Sequence, residues 1–122
     1  MPMTARLHRV HLDDCSEPSA ARQEAVNLLW PFMPTRKVLE QDALNLLSCY
    51  LMAAALDGTG LETVRGWAAD PEDHRAVELL RAGPAPAWAE ECERILTCSQ
   101  WWRGQILAPV RLALSPDRAS AA

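Results

Sequence analysis

A chain of 122 residues, 49% of them hydrophobic, carries enough apolar side chain for one domain with a core of its own. Its net charge of −4 and pI near 5.3 argue against a dedicated duplex-DNA binder, which gains most of its affinity by neutralising phosphates. The glycines and prolines fall mostly between apolar segments, a pattern that fits helices joined by short turns and argues against continuous disorder.

Residues 1–15 mix basic, acidic and histidine side chains with little periodicity and read as a polar, partly ordered leader. His8, His11 and Cys15 share one face at helical spacing, a conceivable metal set, but no fourth ligand is spaced nearby. Arg6, His8, Arg9 and His11 could equally meet an acidic partner or a phosphate chain; a solvated leader is the preferred reading of both sets. No apolar segment of a signal peptide precedes the four cysteines, Cys15, Cys49, Cys92 and Cys98, which predicts reduced thiols and a cytoplasmic protein.

The first helix is expected over residues 16–30, with Ser16 or Glu17 as cap and Pro18 in the first turn, where its missing N–H does no harm. Ala21, Ala25, Leu28 and Leu29 then share one side. Pro31 and Pro34 stop it, and Thr35 opens the next helix. That helix is the centre of the chain. Residues 38–56 read VLEQDALNLLSCYLMAAAL, and from Ala43 onward only Asn45 and Ser48 interrupt the apolar run. A helix apolar almost all round is either buried or membrane-spanning. The apolar portion runs to 14 residues, short of the ~20 needed to cross a bilayer. With Asp42 and Asp57 close on either side, it reads as a buried core helix over residues 35–56, closed by Gly58 in the left-handed conformation.

Thr59-Gly60-Leu61-Glu62 matches a capping box, in which the Thr hydroxyl and the Glu carboxylate satisfy each other's backbone N–H. The short helix after it carries Leu61, Val64, Trp67 and Ala68 on one face. Asp70-Pro71-Glu72-Asp73 begins another, with acids at its positive end and Ala76, Val77, Leu79 and Leu80 inside. Pro86 opens a fifth with a stripe of Trp88, Cys92, Ile95 and Leu96, while Glu90, Glu91, Glu93 and Arg94 face mostly outward. Ser99 opens a sixth with Trp102, Ile106, Val110 and Ala113 in step, which Pro109 should kink or divide. Residues 116–122 form a flexible tail. The expected fold is all-α, a compact bundle of five to six helices at residues 16–115 around the central buried helix.

Catalytic signals are poor. No GxxxxGK[ST] phosphate loop, triad, zinc pair or nucleophile elbow is present, and the single lysine, Lys37, follows Arg36 at a helix start. His74 beside Asp70, Glu72 and Asp73 could do acid–base work, but a solvated acidic first turn explains the cluster better. The chain is therefore expected to be no enzyme and to hold no cofactor or metal. The candidate binding residues are Trp101, Trp102 and Arg103. Two adjacent rings on a helix stand about 100° apart and cannot both enter one narrow stripe, so one is available to stack on a base or fill a partner's pocket. The alternative is that Trp102 is core and Trp101 packs under a loop.

The succession CSEPSAARQEAVNLLW, LEQDALNLLSCYLMAAALDG, LETVRGWAADPEDHRAVELLR and PAWAEECERILTCSQWWRGQILAPVRLAL resembles the all-α domain of conjugative coupling proteins. These are the TraG/TraD-type ATPases of type IV secretion, in their actinobacterial form. The likeness covers residues 15–114 and lies in the order of the blocks. It implies a helical fold and a role in recognising cargo, with relaxase, coupling ATPase or single-stranded DNA as partners and self-association as a further expectation. It carries no ATPase activity here, because the family's phosphate loop, acidic metal-binding strand and membrane anchor have no counterparts in these residues. Where the family pattern returns to the motor, this sequence runs into the polar tail, which leaves open a stand-alone domain, a truncated product or an excised piece. The rival expectation is a small helix-turn-helix-like regulator built from residues 61–69 and 71–82, with three acids within four residues at the start of its second helix.

Overall fold

The computed structural model describes residues 14–33 and 36–115, and among them the protein is all-α. Six helices follow in order: α1 (Pro18–Leu29), α2 (Lys37–Leu56), α3 (Leu61–Ala69), α4 (Arg75–Arg81), α5 (Ala87–Leu96) and α6 (Gln100–Ala113). Single 3-10 turns at Asp14–Ser16 and Trp30–Phe32 flank α1. Residues 1–13, Pro34, Thr35 and residues 116–122 lie outside the described part, and with them the histidines and arginines of the leader, the proposed start of α2 and the tail.

The central position of α2 is borne out. It packs against each of the other five helices. Every residue from Leu46 to Ala54 is buried, so no face of that half meets water. Twenty residues at 1.5 Å each give a rod of roughly 30 Å, about which the shorter helices are arranged. No described helix is long and apolar enough to cross a membrane.

The inward faces are largely those that the periodicity marks. Ala21, Ala25, Leu28 and Leu29 are buried on α1, and Val64, Trp67 and Ala68 on α3. On α4 the buried residues are Ala76, Val77 and Leu80, and on α6 Ile106, Val110 and Ala113. Within the core the Tyr50 hydroxyl donates to the Trp67 carbonyl at 3.4 Å, and the two rings lie 5.7 Å apart. Burial pushes the Tyr50 hydroxyl above its ordinary pKa, so it stays a donor.

Two local expectations need correction, and one alternative of a third falls away. The capping box does not form. Gly58, at φ 70°, closes α2, and the Thr59 N–H returns to the Ala54 carbonyl at 2.9 Å while the Gly58 N–H returns to Ala55 at 3.1 Å. This pair of bonds is a Schellman closure. Thr59 thereby belongs to the end of α2, its hydroxyl also donates to Ala54, and Gly60 starts α3 with no side-chain cap. The acidic segment after α3 is also not yet helix. The Asp70 carboxylate accepts from the Glu72 N–H at 3.3 Å and the Asp73 carboxylate from the Arg75 N–H at 3.0 Å. Side-chain turns of this kind compete with helix, and α4 begins only at Arg75 with His74 before it. Finally, Pro109 lies inside α6 without dividing it, and is itself buried there.

Basic side chains close several helix ends. Arg65 of α3 donates to the Leu114 carbonyl at the end of α6, and Arg111 of α6 donates to Ala68 near the end of α3 at 2.8 Å. The two helices thus satisfy each other's unpaired carbonyls, where positive charge also suits the helix dipole.

Candidate functional site

Trp101 and Trp102 occupy the first turn of α6, which Ser99 caps by accepting the Trp102 N–H at 3.2 Å. The two rings diverge as their angular offset requires. Trp102 turns inward, and its indole N–H donates to Asp42 Oδ2 of α2 at 3.1 Å. Trp101 is 62% exposed, with its ring centroid 5.9 Å from that of Trp102. The Arg36 guanidinium stands over Trp102 at 5.9 Å from the ring centre, within reach of a cation–π interaction. Val38, in the first turn of α2, and Trp30, in the 3-10 turn that packs against α6, are exposed as well. An aromatic and cationic corner thus forms where the start of α2 meets the start of α6.

Arg103 is placed differently from the expectation that grouped it with the two rings. Its side chain is 17% exposed, and it donates to the Leu96 carbonyl at 2.8 Å and to Glu72 at 3.2 Å. It closes the end of α5 and ties α6 to the acidic turn. Of the three residues, Trp101 is the one presented to solvent.

Behind the corner runs a polar stripe that sequence reasoning missed. Asp42, Asn45 and Ser48 recur every three residues along α2, and so lie on one side of it. Asp42, 6% exposed, accepts from Arg94 at 2.7 Å as well as from Trp102. Arg94 also holds both oxygens of Glu91, at 3.1 and 2.8 Å. Glu91 in turn accepts from Asn45 Nδ2 at 2.8 Å, and Asn45 Oδ1 accepts from Arg22 of α1 at 2.6 Å. Arg94 beside it holds the Glu91 carboxyl below its usual range, helped by Asn45 and opposed by partial burial. One chain of charge-assisted bonds therefore links α1, α2, α5 and α6. Glu91 and Arg94 stay partly exposed, as their outward register predicts, yet both reach into this network, and the sequence signal was the pair of polar interruptions in the apolar run of α2.

Further along the stripe, a cavity of about 330 Å³ is lined by Arg22, Asn45, Ser48, Cys49, Trp88 and Glu91. The Cys49 thiol faces the Trp88 carbonyl at 3.6 Å. Hydrogen bonding with Cys92 and burial raise its pKa far above the ordinary thiol range, so this thiol is neutral and inert. Cys49, Cys92 and Cys98 carry free thiols. Among the described residues no three His, Cys, Asp or Glu side chains converge as metal ligands; of the leader set, only Cys15 is described, and it is buried.

The geometry of the two-helix element weighed as a DNA reader also differs from the expectation. Five residues, not one, separate α3 from α4, and α4 is two turns long. Comparison with known proteins finds no family model, no curated protein and no solved structure that matches this chain.

Proposed function

We propose that the protein is a non-catalytic helical binding module that serves cargo recognition in conjugative DNA transfer, contacting a relaxase or a coupling ATPase. The exposed Trp101 carries this reading. A large ring held in the open on a rigid, capped helix, with its neighbour anchored to a buried carboxylate, has the form of an interface anchor. The likeness of the helix blocks to the all-α domain of coupling proteins supplies the partner class. Trp30 and Val38 add apolar area on adjoining elements.

Arg36 over Trp102 favours a second reading, in which the same corner takes single-stranded DNA by stacking and charge. Trp101→Ala tests both. It should weaken association by about 1–3 kcal/mol, the range for an anchoring or stacking ring, while the melting temperature barely moves. Association is read by titrating relaxase, coupling ATPase and a single-stranded oligonucleotide in turn. A variant that melts much earlier and still binds would make Trp101 a core residue and remove the proposed surface.

A further inference from the structure

The cavity between α1, α2 and α5 has a defined polarity. Asn45 has both ends of its amide engaged, its oxygen by Arg22 and Gln41 and its nitrogen by Glu91. Both Glu91 oxygens are held by Arg94. Ser48 donates to the Leu44 carbonyl at 2.6 Å. The Asn45 and Glu91 acceptors that would attract a cation or read a base edge are thus already engaged. Arg22 is the exception. Among the described residues its guanidinium bonds one neutral partner, the Asn45 oxygen, and makes no ion pair, although it carries five donors.

The remaining walls are suited to a ring. Trp88 lines the cavity and is the large apolar residue in its wall, and the buried Cys49 and Ser48 form small, neutral surroundings. The volume stands at the lower end of the roughly 300–1,000 Å³ typical of small-molecule sites. That allows one ring with a short acidic group and little more.

The geometry points to a ligand site for a small ring-bearing monocarboxylate, its carboxylate on Arg22 and its ring against Trp88. A guanidinium matches a carboxylate through two parallel N–H bonds, and the partly enclosed setting strengthens them. Asn45 holds Arg22 from behind, and Arg94 keeps Glu91 from repelling the anion. This site lies further along the same stripe, shares no lining residue with the corner around Trp101, and does not depend on what binds there.

Benzoate is the probe, with benzylamine as the cationic control, titrated into the full chain by calorimetry and by NMR of the tryptophan indole N–H signals. Saturable benzoate binding is expected, with the largest shift at Trp88 and none of comparable size with benzylamine. Arg22→Gln keeps an amide donor for Asn45 but removes the charge, and should weaken benzoate at least about tenfold. Trp101→Ala should leave benzoate binding unchanged, which separates this site from the proposed partner surface. No saturable benzoate binding at millimolar concentration would overturn the inference. So would benzylamine binding equally well, or a folded Arg22→Gln variant that binds as before. Should Arg22→Gln fail to fold, the shift map of the unaltered protein decides: a largest shift at any tryptophan other than Trp88 removes the site.

Discussion

From Leu46 to Ala54 the central helix buries every side chain, whereas in the turns before it Lys37, Val38 and Gln41 meet solvent and Asp42 is buried within a network of polar bonds. The later half is held mainly by apolar contact, which is non-directional and grows with the area removed from water. The earlier half adds to its buried Leu39 and Ala43 a few directed bonds, from Arg94 and Trp102 to Asp42 and from Asn45 to Glu91. Apolar burial sets where the helix sits. The directed bonds set how α5 and α6 are turned against it, and both the aromatic corner and the cavity lie along that half or its junction.

The comparison breaks first at Leu47, which is fully buried in the apolar half. Leu47→Asp would bury a carboxylate inside the core, a cost of several kcal/mol that is a large share of a typical domain's stability. The variant should fail to fold, seen as loss of a cooperative transition by circular dichroism. A cooperative melt near that of the parent would mean that α2 is not the centre of the core.

Asp42→Ala tests the other half and should cost less, about 1–3 kcal/mol. It removes the acceptor for the Trp102 indole and for Arg94, yet Arg94 is half exposed and can return to water and to Glu91. The effect should also be regional. Indole N–H exchange at Trp102 should accelerate while that of the core tyrosine region stays protected. If stability and Trp102 exchange both hold, the directed bonds do not orient α6.

These halves also differ in how far the sequence reveals them. The burial of α2 is legible because it is written in a long run of apolar residues, and no partner need be known to read it. The face of α1 and the inner residues of α3 and α4 follow from periodicity for the same reason. The polar network was hidden because its members are far apart in the chain: Arg22 is 23 residues from Asn45, and Asp42 is 60 from Trp102. Glu91 and Arg94 look like solvent-facing charges on their own helix and find their role only across it. Asn45 and Ser48 stood out as interruptions, but their spacing from Asp42 is what marks a stripe. At the corner, adjacency alone shows that the two rings must diverge, and Trp102 goes inward as its register with Ile106 predicts. Arg103 could not be placed that way, since the carbonyl it closes belongs to the end of α5.

The smallest effect is expected at the far end of the apolar half, where two local motifs compete for Thr59. As the cap of α3, its hydroxyl would accept a backbone N–H, and removing such a cap costs about 1 kcal/mol. In the structure it instead donates to Ala54, at 3.4 Å, a carbonyl that already receives the Thr59 N–H. A second, long bond to an acceptor already in use is worth less than the average hydrogen bond, and Thr59 is only partly buried. Gly58 supplies the left-handed turn, and both backbone bonds of the closure survive truncation of the side chain. Thr59→Ala should therefore lower stability by about 0.5 kcal/mol or less, read from the urea midpoint at unchanged slope. A loss of about 1 kcal/mol or more, with early fraying of α3 by amide exchange, would show that the hydroxyl caps α3 in solution and that the closure of α2 releases Thr59 to do so.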